Sequence, residues 1–83
     1  MIKIVLKGPL VSQIGKREIE INATSIFEAL SSIDNGKSIL IDRNNKIRAG
    51  YIILVNGKDW RMLESNYLQP NDIIEIIPVN HGG

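Results

Sequence analysis

A chain of 83 residues, 43% of them hydrophobic, is expected to form one domain, at a size where folding buries about 60–65% of the unfolded surface. The absence of cysteine excludes disulfides, thiolate metal sites and side-chain thiol chemistry. Ten Lys and Arg against nine acids give a net charge of +1 with the signs interspersed, so no basic stripe is expected for direct nucleic-acid binding.

The apolar runs are far shorter than a membrane span, and the N-terminus lacks the successive charged, apolar and small-residue regions of a signal peptide. A soluble, cytoplasmic domain is the expectation. Ile2 to Lys7 alternates as a strand with Ile2, Ile4 and Leu6 inward and Lys3, Val5 and Lys7 outward. Gly8-Pro9 interrupts it. A loop containing Gly15 leads to a second strand at about Arg17 to Ile21, with Ile19 and Ile21 inward, as in an antiparallel hairpin.

Ser25 and Glu28 have capping-box spacing: the hydroxyl takes a first-turn amide hydrogen and the carboxylate returns a bond. A helix from about Ser25 to Asp34 follows, with Ile26, Ala29, Leu30 and Ile33 in one stripe and Phe27 on its flank. Asn35-Gly36 ends it. Only one such helix is visible, so a sheet must supply the other layer.

Ile39-Leu40-Ile41 reads as a short strand or a single helical turn, and Asp42 to Asn45 as a turn. Tyr51 to Val55 is a central-strand candidate rich in β-branched residues. Asn56-Gly57 is a strong hairpin signal, predicting that Lys58 to Arg61 returns as a short edge strand. Pro70-Asn71-Asp72 suggests a type I turn before a last strand through Ile73, Ile74, Glu75, Ile76 and Ile77. This order is that of an α+β β-grasp fold: a mixed sheet of four to five strands, the last parallel to the first, with one main helix on one face.

Residues 1–79 are thus read as the folded domain and 80–83 as a flexible reactive tail. Gly82 and Gly83 lack Cβ atoms, so a carboxylate carried on them can pass a channel that side chains would block. At roughly 3.3–3.6 Å per residue, Asn80 to Gly83 reaches about 13 Å. An α-carboxyl is ionised at neutral pH and can attack an ATP α-phosphate. His81, alone on such a tail, has no orienting partner for acid or base work. Trp60 could anchor a partner but in a small domain more often roofs the core. On the sheet face away from the helix, alternation places Val5, Leu54, Ile73, Ile77 and Val79, an apolar patch expected to dock an activating enzyme. Dimerisation or a covering loop is the alternative use of that face.

Ile47 to Asn56, Asp59-Trp60, Tyr67-Leu68, Asn71-Asp72 and His81-Gly82-Gly83 resemble the ubiquitin-like sulfur carriers and, within them, the ubiquitin-related modifiers. Val55-Asn56 and the closing Gly-Gly are shared with the molybdopterin synthase small subunit and the thiamine-pathway carrier, and Pro78-Val79 is similar to the former.

The resemblance implies a ubiquitin-like fold and a carrier that is itself no enzyme, with neither metal nor bound cofactor. An ATP-dependent activating enzyme would adenylate Gly83, and a persulfide's sulfur would replace AMP to leave a C-terminal thiocarboxylate. Partners would be that enzyme, a sulfurtransferase or the enzyme thiolating the wobble uridine of certain tRNAs, and lysines to which the same carboxyl can be joined. Without cysteine, a sulfur cargo could reside only on the terminal carboxyl. Two alternatives stay open: the small subunit of molybdopterin synthase, and an interaction module that uses only its sheet surface.

Overall fold

The computed structural model describes residues 1–79. Strands β1 (Ile2–Leu6), β2 (Glu18–Ile21), β3 (Tyr51–Val55), β4 (Lys58–Asp59) and β5 (Ile73–Pro78) form one sheet in the order β2-β1-β5-β3-β4. Helices α1 (Leu10–Ile14) and α2 (Ile26–Asp34) complete the fold. As the sequence order implied, β5 runs parallel to β1, with Ile4 opposite Ile74 and Leu6 opposite Ile76. It is antiparallel to β3, where Ile53 faces Ile76 and Val55 faces Ile74.

The alternation fixes this register, since a one-residue slip would turn every inward side chain to solvent. Ile2, Ile4 and Leu6 of β1, Ile53 and Val55 of β3, and Ile74 and Ile76 of β5 are buried. The Ile26, Ala29, Leu30 and Ile33 stripe of α2 joins them in one core. Phe27, on the helix flank, is 40% exposed.

Half of the expected capping box forms. Ser25 Oγ accepts from Glu28 N at 3.1 Å, but the Glu28 carboxylate accepts from Thr24 Oγ1, also at 3.1 Å. The neighbouring hydroxyl, one residue earlier, takes the returning bond. At the other end Asn35 itself adopts the left-handed conformation (φ 49°) and donates to Ser31 O.

Four local expectations are corrected. The first concerns the stretch after β1, which holds α1 with Leu10 fully buried; five residues are too few to show a helical period. Pro9 before it and left-handed Gly15 (φ 97°) after it are the punctuation that could have revealed it. Second, Ile39 to Ile41 forms neither a strand nor a helical turn, only a single antiparallel bridge between Ile41 and Ile47. The Asp34 carboxylate, 2% exposed, accepts from Ser38 N at 2.9 Å and from Ile39 N and Leu40 N at 2.7 Å each. These amides wrap a side chain instead of pairing with a strand or helix, and Leu40 is fully buried.

Third, β4 stops at Asp59. Its carboxylate accepts from Arg61 N at 2.9 Å and starts a 3-10 turn over Trp60–Met62. Fourth, the turn closed by Asp72 N donating to Gln69 O has Asn71 at φ 70°. A positive φ at the third position makes it type II rather than type I. The Asn56-Gly57 hairpin is as expected, with both residues at positive φ (52° and 85°), the type I′ geometry that matches strand twist.

Candidate functional site

The site is built around the end of β5, from which residues 80–83 continue. Two neighbours grip this root. Lys7 N donates to Ile76 O at 3.1 Å, and Val79 N donates to Gly50 O at 2.8 Å. Opposite Pro78 stands Tyr51, whose hydroxyl donates to Ile39 O at 2.9 Å. Arg48 N in turn donates to Leu40 O at 2.8 Å, and Arg48 Nε to Ser38 O at 2.7 Å.

The chain leaves the sheet from a fixed position because Asp34 organises residues 38–40 and these hold the start of β3. Sequence reading missed Asp34. An acid at the last helical turn, where the helix dipole disfavours it, was the available signal. His81, Gly82 and Gly83, the residues singled out for chemistry, lie outside the described residues.

The outer sheet face comes from register. Val5, Glu75 and Leu54 lie side by side across β1, β5 and β3, Ile73 is opposite Lys3, and Ile77 is opposite Ile52. Val5, Leu54 and Ile77 are half-buried, while Ile73 and Val79 are 41% and 38% exposed. Leu54 and Ile77 therefore both keep solvent access. The structure adds Ile52, 41% exposed, which the sequence reading left out although it lies two residues before Leu54 and so on the same face.

At the far edge Asp59 is opposite Leu54. Its carboxylate binds Arg61 Nη2 at 2.9 Å and Nε at 3.1 Å. These side-chain bonds, followed by the Arg61 backbone N–H, lower the Asp59 pKa to about 2. Trp60 is half-buried against the core, as a roofing residue would be. One of its sides borders a surface hollow of about 370 Å³ that Phe27, Lys46 and Ile47 also line. Among the described residues, no group of three or more His, Asp or Glu could hold a metal ion, and no helix is long and apolar enough to cross a membrane.

The arrangement holds the last strand by hydrogen bonds from both neighbours, beside an outer face whose apolar residues are interrupted by Glu75 and Lys3. Residues 7–83 match the family Urm1 (Ubiquitin related modifier). A ubiquitin-related modifier 1 homolog of Drosophila grimshawi is 34% identical over 83 residues, 89% of this chain and 80% of that protein. The crystal structure of Sulfolobus solfataricus Urm1 is similar with a TM-score of 0.86 and 45% identity, covering 93% of this chain and 99% of the other. The Amycolatopsis orientalis BexX/CysO complex contains a chain similar in fold, with a TM-score of 0.80, 17% identity and 100% of both chains covered.

Proposed function

Because the chain belongs to the Urm1 family of ubiquitin-related modifiers, we propose that it is a carrier whose Gly83 carboxyl is activated by a separate ATP-dependent enzyme. The carboxylate oxygen attacks the α-phosphorus of ATP, the bond to the β-phosphate breaks, and pyrophosphate leaves an acyl-adenylate on Gly83. A persulfide's terminal sulfur then attacks the acyl carbon and expels AMP. A thiol reduces the resulting acyl disulfide, taking the other sulfur and leaving the thiocarboxylate. That group donates its sulfur, to the wobble uridine of certain tRNAs in our reading, and the same activated carboxyl can be transferred to a lysine amine.

The observation that supports this reading most is that the family match runs through Gly83, so it includes the two terminal residues without side chains. The gripped root suits the task, since a fixed exit lowers the ordering cost of threading residues 80–83 into a partner. We assign the outer face, Val5, Ile52, Leu54, Ile73 and Ile77, to the activating enzyme, with Val79 beside the tail. CysO, similar in fold, was solved together with another protein, BexX, which accords with a carrier that works by docking.

Incubating the full chain with its cognate activating enzyme and ATP is expected to give an AMP adduct at Gly83 by mass spectrometry. Adding a persulfide source and a thiol is expected to exchange one carboxyl oxygen for sulfur. Deleting Gly83 is expected to abolish both while leaving the melting temperature unchanged, because the buried core of the described residues is complete within Ile2 and Ile76. Undiminished function of the deletion variant in cells would instead make the chain an interaction module. Lysine conjugates would carry the tryptic remnant Met62 to Gly83, since Arg61 is the last basic cleavage site.

A further inference from the structure

The net charge of +1 conceals a segregation that only the fold reveals. Six of the ten cations lie on segments that flank the end of β5. Lys7 follows β1, and its backbone N–H bonds β5. Lys16 and Arg17 precede β2, with Arg17 O accepting from Leu6 N. Lys37, Arg43 and Arg48 lie in the connection from α2 to β3, which reaches the tail root through Gly50, whereas Lys46 of the same connection lines the hollow shared with Phe27, Trp60 and Asn66. All six are exposed.

The acids of this end are Asp34 and Asp42, both turned onto backbone amides, and Glu18, which follows Arg17 at the start of β2. Asp34 is buried under three N–H groups, and Asp42 accepts from Asn44 N and Lys46 N. The rest of the described domain holds the other four cations against six acids. Among the described residues, the ion pairs are Lys3 with Glu18 and Arg61 with Asp59. Glu18 is thus drawn along the sheet towards Lys3, and among the described residues none of the six cations forms an ion pair.

We propose that this end is a cationic collar that docks on an acidic rim around the entrance of the activating enzyme's tail-accepting site. The inference rests on the carrier reading above. Its physical basis is orientation: a body with most of its cations around the tail root and most of its acids elsewhere turns tail-first in the field of an acidic entrance. Such charge asymmetry raises productive encounter rates more than it deepens the final affinity. The cations come from three separate segments on both sides of the tail root. They therefore surround an exit instead of forming a line along a phosphate backbone, which favours a protein rim over RNA.

The test compares equal charge changes at opposite ends of the full chain, using ATP–pyrophosphate exchange by the cognate activating enzyme. Lys7→Gln with Lys16→Gln, and separately Lys37→Gln with Arg43→Gln, each remove two positive charges near the root. Lys58→Glu makes the same net change at the far hairpin. At low ionic strength each root pair is expected to raise the KM for the carrier about tenfold with kcat nearly unchanged, and high salt is expected to erase the difference. Lys58→Glu is expected to stay within about twofold of the native chain.

A native chain that is adenylated normally, with KM unmoved by the root pairs or moved equally by Lys58→Glu, would overturn the collar alone. Failure of the native chain to form any adenylate would overturn the carrier reading and the collar with it. Salt-sensitive binding of a labelled tRNA that the root pairs abolish, with KM unmoved, would give the collar to RNA and also overturn the proposal.

Discussion

The two faces of strand β5 both carry isoleucines, and these meet different fates. Ile74 and Ile76 are fully buried, whereas Ile73 is 41% exposed and Ile77 half-buried on the same strand. Side-chain chemistry cannot distinguish them; position in the two-residue period does. The inner face has a helix to pack against, and the outer face has none among the described residues. An apolar face that contributes little to the domain's own core is free to serve a partner, and here it adjoins the strand that carries the tail.

Truncation measures the contrast most directly. Ile76→Ala is expected to cost about 2–5 kcal/mol of folding stability, the usual result of emptying part of a packed core. Denaturant unfolding would show it. Asp34→Asn should come next, at about 1–3 kcal/mol, because an amide NH₂ would replace one acceptor and leave a backbone donor without a partner. Faster hydrogen exchange at Ser38 to Leu40 would locate that loss. Ile77→Ala is expected to cost no more than about 1 kcal/mol while raising the carrier's KM with the activating enzyme. A cost for Ile77→Ala equal to that of Ile76→Ala, and dependent on protein concentration, would break the contrast by showing that a second copy already covers the outer face.

How legible the molecule was in its sequence follows from which signals are local. The β1 alternation, the α2 stripe with its Ser25 cap and the Asn56-Gly57 hairpin each lie within one short window, and all three are present. Helix α1 escaped notice because one and a half turns carry no period, although Pro9 and Gly15 mark its ends. The β4 strand was drawn too long because the competing bond, Asp59 to Arg61 N, is a side-chain interaction that strand propensity does not contain. The short strand or helical turn expected at Ile39 to Ile41 gives way for the same reason: the N–H groups of Ile39 and Leu40, with that of Ser38, go to Asp34, and only Ile41 forms a bridge, with Ile47. The charge segregation was invisible in the sequence because Lys7, Lys16 and Arg48 are brought to one end only by the sheet order. Val5, Leu54, Ile73 and Ile77 could be assigned to one face by counting, and counting also reaches Ile52. The tail chemistry was read from residue type and resemblance, and no packing signal bears on it.

The smallest expected effect lies at the border between the faces, where Asp59 stands beside Leu54. Both Asp59 oxygens are held by Arg61, which lowers the carboxyl pKa from 3.8 to about 2. With the folded value below the unfolded one, the pair contributes stability above about pH 4 and loses it as pH falls through about 2. Arg61 is 74% exposed, so solvent and salt screen the pair and the change in unfolding midpoint should be slight. The carboxyl carbon shift of Asp59 followed by NMR is the sensitive measure. Its midpoint is expected near 2 in the native chain and closer to 3.8 in Arg61→Gln. A native midpoint already at 3.8 would mean that Asp59 does not hold Arg61 in solution. The turn that ends β4 would then be kept by the packing of Trp60 against the core, and the edge of the outer face would be set by the inner one.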